Sequence, residues 1–139
     1  MNYTVSIYAD RAKGKAGFVL FLDGSVLSEK VVSFKNEGLK EKTLHCIFMG
    51  IKECVSKVHH GDILTIEAPN VYICQWLNGM VESKGYVDQL EKIFNVIENL
   101  DCRYVFRYAE NPLAKRYISK AELTRVKVTS AVDLLSEFE

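Results

Sequence analysis

The chain has 139 residues, and its 18 basic and 18 acidic side chains give a formal net charge of zero. This length predicts one domain with a sizeable core. The zero net charge excludes a long-range electrostatic field that would attract nucleic acid or anionic membrane, so only a local basic patch could bind them. No apolar run approaches the ~20 residues that span a bilayer, and a strand pattern follows Met1 without a signal peptide, so we expect a cytoplasmic protein with no membrane association.

Three strands of an antiparallel meander are predicted at the start of the chain. Residues 3–10 alternate between apolar and polar side chains, as a strand with one buried face does. Residues 16–22 form a nearly continuous apolar run, and the Asp23-Gly24 dipeptide that follows is favoured in tight hairpin turns. Residues 25–34 then predict a third strand, antiparallel to the second.

Helices and strands alternate in the remainder of the predicted domain. Apolar residues at helical spacing predict a first helix from Leu44 to Val58, with Gly61 marking its end. A last helix is predicted to start at Asn111-Pro112, with Asn as cap and Pro in the first turn, as Pro69 is expected to be for the second helix. The elements between are a strand at 63–67, helices at 71–80 and 86–97, and a strand at 102–108.

The predicted element order is βββαβααβα, over residues 1–122. Strands linked through helices run parallel with right-handed crossovers. The sequence therefore predicts an α/β fold with a mixed five-stranded sheet, in which a three-strand antiparallel meander is joined by two parallel strands and helices flank both faces.

A C-terminal tail, residues 123–139, is not required by this core. Ser130 and Asp133 can cap a short helix in it. The apolar side chains that would share one side of that helix are Leu134, Leu135 and Phe138. The tail either folds back onto its own domain or mediates self-association or binding of a protein partner.

Three stretches, in this order and spacing, resemble the ribonuclease H family. The first is Ile7-Tyr8-Ala9-Asp10, followed by a Gly-containing loop and the strand Gly17-Phe18-Val19-Leu20. The second is Leu44…Ile47…Gly50-Ile51, like the family's helix whose small residue packs on the sheet. The third is Asn111-Pro112-Leu113-Ala114-Lys115-Arg116-Tyr117-Ile118, like the family's closing N-x-x-A-D-x-L-A helix. The resemblance implies a ribonuclease H-like fold for residues 3–122.

The same resemblance implies a site of four carboxylates, which in the family hold two divalent metal ions for phosphodiester cleavage. Asp10 matches the first position. Thr43 stands at the second, Ala68 at the third and Lys115 at the fourth. Glu67 takes the third position if the alignment shifts by one residue. One carboxylate is retained, one is arguable and two are lost.

These departures favour a degenerate site, as in a pseudoenzyme, with no cofactor. We expect the Lys115 ammonium either to lie near Asp10 as its counter-charge or to point into solvent. The alternative is a Mg²⁺- or Mn²⁺-dependent nuclease that cleaves RNA in RNA–DNA hybrids. In that case Asp10 and Glu67 are the catalytic residues, and Asp10 is the metal ligand.

Binding without cleavage is the interpretation that the departures favour, with nucleic acid or a protein partner as the ligand. A cluster of cations around the cleft mouth would contact backbone phosphates, and a solvated mixed-charge rim is the competing interpretation. The candidates are Arg11, Lys13, Lys15, Lys42, Lys115 and Arg116. Trp76 and Tyr72 are expected to pack the second helix. A homo-oligomeric interaction module, acting through the tail, is a further alternative.

Overall fold

The computed structural model describes residues 1–34 and 38–118, so the predicted tail lies outside the described residues. The five strands form one sheet in the order β3-β2-β1-β4-β5. β1 and β2 pair antiparallel, as do β2 and β3, whereas β1 and β4, and β4 and β5, pair parallel. The predicted mixed sheet is confirmed. The strands are β1 (Asn2–Asp10), β2 (Lys15–Leu22), β3 (Ser25–Ser33), β4 (Ile63–Ala68) and β5 (Arg103–Tyr108).

Helices cover both faces of this sheet, as predicted. They are α1 (Leu39–Cys54), α2 (Val71–Leu77), α3 (Val87–Ile97) and α4, of which residues 114–118 are described. α1, α2 and α3 bury their apolar sides in one large core, whereas Ala114 and Ile118 of α4 pack on Val19 and Phe21 on the opposite face. Among the described residues, no helix has the length and apolarity of a membrane span.

The alternation in β1 decides which side chains meet which helices. Val5 and Ile7 enter the core beneath α1, and Ser6, between them, faces α4. α1 approaches the sheet closely at Gly50, where a Cβ atom would clash with the Val5 side chain. Gly50 is therefore the small residue that the resemblance predicted at this contact.

Local signals located the turns better than the helix ends. Asp23 and Gly24 both have positive φ, 47° and 89°, as the predicted hairpin turn requires. The predicted span of the first helix was wrong, because α1 begins at Leu39 and ends at Cys54. Val58 is buried in the turn that follows α1.

α2 also differs from its prediction at both ends. The Asn70 side chain accepts a hydrogen bond of 3.0 Å from the Ile73 N–H and caps the helix, so Pro69 lies before the cap rather than in the first turn. The helix ends at Leu77, where Asn78 and the left-handed Gly79 (φ 73°) stop it.

Most turns of the chain lie at one end of the sheet. β1, β3, β4 and β5 point the same way, so their carboxyl ends meet at a single edge, which we call the C-terminal edge. α1, α2 and α4 begin just after these strand ends. Ligands of open α/β sheets bind outside the carboxyl ends of the strands, so this edge is where a site is expected.

Candidate functional site

A buried carboxylate lies near the end of β4, in the middle of the sheet. Glu67 is 3% exposed, and its side chain accepts three hydrogen bonds. Ser6 Oγ donates to Oε2 at 2.6 Å, the backbone N–H of Leu113 donates to the same oxygen at 2.7 Å, and Arg107 Nη2 donates to Oε1 at 2.7 Å. Both carboxylate oxygens are therefore engaged.

The strand register creates this network, which we call the Glu67 network. Ser6 lies opposite Glu67 in the β1–β4 pair, and Glu67 lies opposite Arg107 in the β4–β5 pair. Side chains opposite one another on neighbouring strands share a face, so the three form a row beneath α4. The Ala114 N–H donates to Ser6 Oγ at 2.8 Å, and Ser6 thereby joins α4 to Glu67.

Hydrogen bonding outweighs burial at Glu67. Burial raises the pKa of this carboxyl, but the hydrogen bonds from Ser6, Leu113 and Arg107, together with the Arg107 charge, hold its pKa below the ordinary value. Glu67 is thus an ionised acceptor of three hydrogen bonds that joins β1, β4 and β5 to the start of α4.

The predicted cap of the last helix was wrong. The first N–H groups of α4 donate to Glu67 and to Ser6 rather than to Asn111. The Asn111 Oδ1 atom instead accepts a hydrogen bond of 3.2 Å from the Lys115 ammonium. A carboxylate at a helix N-terminus also has a favourable interaction with the helix dipole, so Glu67 caps α4 across the sheet.

Asp10, the last residue of β1, has different surroundings. Its Oδ1 atom accepts from the Lys13 N–H at 3.2 Å, and its Oδ2 atom accepts from the Tyr8 hydroxyl at 3.3 Å. Both bonds are longer than those of Glu67, and the side chain is partly exposed at the turn between β1 and β2. Asp10 is therefore available to solvent at the C-terminal edge.

The other three positions of the implied carboxylate set hold no anion. Thr43 is buried and donates its hydroxyl to the Leu39 carbonyl at 2.8 Å, and Ala68 lies in the core. Lys115 is exposed, contacts Asn111 and forms no ion pair with Asp10, which agrees with the second expectation, a solvent-facing side chain, and not with a counter-charge to Asp10. Within residues 1–34 and 38–118 no group of three or more His, Cys, Asp or Glu side chains could hold a metal ion.

The predicted cations lie on three segments of the C-terminal edge. Arg11 and Lys13 are exposed in the turn after β1, and Lys15, the first residue of β2, is half-buried. Lys42 is half-buried in the first turns of α1. Lys115 and Arg116 are exposed at the start of α4, and the Arg116 guanidinium lies 5.6 Å from the centre of the Tyr117 ring.

Sequence reasoning missed three residues of this region. Ser6 and Arg107 carried no local signal beyond their place in an alternating strand. Lys40 of α1 also went unnoticed, although its ammonium lies 5.6 Å from the ring centres of both Tyr72 and Trp76. Trp76 stacks on Tyr86 as a packing residue, but Tyr72 is 59% exposed, so its predicted packing role was wrong.

Comparisons with known proteins identify the fold. No protein-family model and no curated protein sequence matches the chain. Three-dimensional similarity is clear, however, to the ribonuclease H1 of the halophilic archaeon Halobacterium salinarum, with a TM-score of 0.65 and 10% identity over 86% of this chain and 91% of that one. The chain has a ribonuclease H-like fold.

Two further structures agree with this ribonuclease H-like assignment. The N-terminal ribonuclease H domain of a Mycobacterium tuberculosis protein has a TM-score of 0.66 and 12% identity, over 85% of this chain and 92% of that domain. LC11 ribonuclease H1, in complex with an RNA/DNA hybrid, has a TM-score of 0.62 and 11% identity, over 86% and 88%. At identities this low, the structural similarity shows the fold alone, and it is the fold that the sequence resemblance implied.

Proposed function

We propose that this chain is a non-catalytic ribonuclease H-like domain that binds nucleic acid at its C-terminal edge. The observation that carries the proposal is the chemistry of the four positions of the implied carboxylate set. They hold one accessible carboxylate, Asp10, together with a buried threonine hydroxyl, an alanine and a lysine.

A two-metal site does not fit these donors. Two divalent cations placed close together need several anionic oxygens, because their mutual repulsion must be offset. Glu67 already accepts bonds from Ser6, Leu113 and Arg107, so a metal ion would compete with them, and loss of the Ser6 bond would leave a buried hydroxyl without its acceptor. Asp10 alone is too small a ligand set, and Lys115 adds a cation at this edge.

Binding of nucleic acid requires fewer precisely placed groups at the C-terminal edge than cleavage does. Arg11, Lys13, Lys115 and Arg116 are exposed, whereas the chain as a whole is neutral. Cations on a sheet edge that also carries helix N-termini can contact backbone phosphates without reading the bases. The competing interpretation, a solvated mixed-charge rim, differs in a measurable property, since it has no affinity for nucleic acid.

The first ligand class to compare is the RNA/DNA hybrid. A ribonuclease H1 of similar fold has been determined in complex with such a hybrid. Hybrid, DNA duplex, RNA duplex and single strands share the phosphate backbone, so backbone contacts predict binding to several of them with a modest preference at most.

The experiment is a fluorescence-anisotropy titration of these labelled ligands over a range of salt concentrations. The variant R11Q/K13Q should weaken binding and reduce the slope of log affinity against log salt by about 2, since each phosphate contact contributes about one unit. The matched control is R103Q/K57Q, which removes the same charge from the other end of the sheet.

Two outcomes would overturn the binding proposal. One is affinity no tighter than ~10⁻⁴ M at moderate salt, below the usual range of non-specific binding. The other is an equal loss in the two variants, because the contact would then not be at the C-terminal edge.

Asp10 itself favours the second candidate function, a metal-dependent nuclease, since it is the accessible carboxylate in the first position. The same titration samples, supplied with Mg²⁺ or Mn²⁺, provide the test. Cleavage of the RNA strand of a hybrid that is lost on Asp10→Asn would place the nuclease first. Binding without cleavage supports the non-catalytic proposal.

A further inference from the structure

A basic groove lies between α1 and the edge strand β3, away from the C-terminal edge. It is a cavity of about 530 Å³ whose floor is formed by Phe18, Phe48 and Met49. Lys30 of β3 and Lys52 of α1 stand on its two sides. An aromatic floor with cations on both sides fits an extended or helical segment that is both apolar and acidic.

The charge of this groove is not neutralised within the described part of the chain. Its one acidic lining residue, Glu53, is paired with Lys57 at 2.7 Å. Lys30 has no carboxylate partner among the described residues, and the Lys52 ammonium lies 5.8 Å from the centre of the Phe48 ring without one. Two cations are thus available to an anionic ligand.

Another large cavity in the described part of the chain has the opposite charge. It has a volume of about 540 Å³ and lies between α2 and α3, with Trp76, Leu90 and Phe94 among its lining residues. Glu82 and Glu91 stand on its rim. An acidic segment would be repelled here and attracted to the groove beside β3.

The chain itself contains a segment of the required chemistry. Residues 133–139 (DLLSEFE) comprise three acidic and three large apolar side chains and no basic one. Residues 119–128, by contrast, contain Lys120, Arg125 and Lys127 against a single Glu122. Charge is therefore segregated in the C-terminal part of the sequence, with its acidic half last.

The chain is long enough to connect α4 to the groove. Ile118 packs at Gly17, where a Cβ atom would lie 3.1 Å from the Ile118 Cδ1 atom. The next residue, Phe18, forms the groove floor on the opposite face, and β3 is the edge strand between them. A path from Ile118 around the edge strand β3 to the groove is on the order of 30 Å. The fourteen residues 119–132 span up to about 45 Å when extended.

We propose that residues 133–139 dock in the groove between α1 and β3 as an intramolecular acidic ligand. Phe138 and the two leucines cover the apolar floor, and the carboxylates neutralise Lys30 and Lys52. The groove is then a surface that an acidic, apolar partner segment could reach only by displacing the chain's own terminus.

NMR of the full-length protein tests this docking. We expect nuclear Overhauser effects between the Phe138 ring and the Met49 methyl group that persist on dilution. K30E/K52E should abolish them, as should E137K/E139K, and combining the four substitutions should restore them, because the charges are again complementary. The control K84E/R103E makes the same change of charge elsewhere and should leave them intact.

Other outcomes contradict the proposal. Contacts that vanish on dilution would mean that the groove binds the terminus of a second copy. Contacts from Phe138 to Phe94 would place the segment in the acidic cavity. Groove amide shifts that are identical in the wild type and in E137K/E139K would show that the segment does not dock there. All the substitutions lie at exposed side chains or in the terminal segment, so folding is checked by the unchanged shifts of β1 and β4.

Discussion

Two carboxylates near the C-terminal edge of one sheet have opposite surroundings. Glu67 is buried and accepts bonds of 2.6 to 2.7 Å from a hydroxyl, a guanidinium and a backbone N–H. Asp10 is partly exposed and accepts two bonds of 3.2 and 3.3 Å from its own turn. A carboxylate can stabilise a fold or remain available for a ligand, and these two residues have divided those roles.

The Glu67 network also stabilises this ribonuclease H-like fold. Glu67 joins three strands to α4 through neutral and cationic donors of the protein itself. The charge of the Glu67 carboxylate therefore interacts with groups of the protein, whereas a metal ligand would need its carboxylate to face the cleft.

Removal of the Glu67 side chain should have the largest effect. Glu67→Ala leaves Arg107, Ser6 and the Leu113 N–H without their acceptor. The Arg107 side chain is 57% exposed and can turn to water, so the cost comes mainly from the other two donors, at about 1–3 kcal/mol each. Urea unfolding measures this cost. Asp10→Ala is the matched truncation and should cost about 1 kcal/mol or less, since its bonds are long and partly exposed. Equal costs would contradict the division of roles.

Ser6→Ala should have an intermediate effect on the same network. The substitution removes the hydroxyl that donates to Glu67 and accepts from Ala114, at a cost of about 1–3 kcal/mol in the free energy of unfolding. Ser28→Ala is the control, because its buried hydroxyl has no partner among the described residues. That variant should be neutral or slightly stabilised. Similar losses in the two variants would show that Ser6 contributes only its packing.

Acid should weaken the Glu67 network. Since the pKa of Glu67 in the folded protein lies below its ordinary value of 4.5, the network contributes its full stability above about pH 4.5 and loses it as the pH falls through the folded value. The unfolding free energy of the wild type minus that of Glu67→Gln should therefore shrink below pH 4.5. Asp62, whose pKa is also lowered, is common to both proteins and cancels. A difference that grows with acid would mean that the carboxyl is protonated in the fold.

Asp10→Asn should have the smallest effect, and on binding rather than on stability. Loss of this negative charge from a basic edge should strengthen binding of an RNA/DNA hybrid by about twofold, the Coulomb energy of a charge roughly 10 Å away in water. The gain should disappear at high salt. Anisotropy in the presence of Mg²⁺ measures it, and weaker binding by the variant would indicate that Asp10 holds a metal ion for the ligand.

Much of the fold could be predicted because its signals are local. Alternation marked β1, a two-residue turn signal placed β2 against β3, and the spacing around Gly50 identified the contact of α1 with the sheet. The boundaries of α1 were harder to predict from the sequence, since no side chain caps its start at Gly38. α2 shows the same weakness, because Asn70, rather than the more conspicuous Pro69, begins it.

The candidate site was harder to predict for a physical reason. The Ser6–Glu67 and Arg107–Glu67 bonds join residues 61 and 40 positions apart, and only the register of three strands brings them together. Asn111 had the local signature of a cap, yet a distant carboxylate took that role. Family resemblance pointed to Asp10 and to the substituted positions, but it carried no information about how the neighbouring Glu67 would be used.

The most direct test of the division between the two carboxylates is a titration of the protein with diamagnetic Mg²⁺, followed through the chemical shifts of the side-chain carboxylate ¹³C signals of Asp10 and Glu67 by NMR. We expect the Glu67 shift to stay constant throughout, with at most a small change at Asp10. Saturable changes of both shifts with the same dependence on Mg²⁺ concentration would contradict this division, because a shared metal ion would then join the two carboxylates.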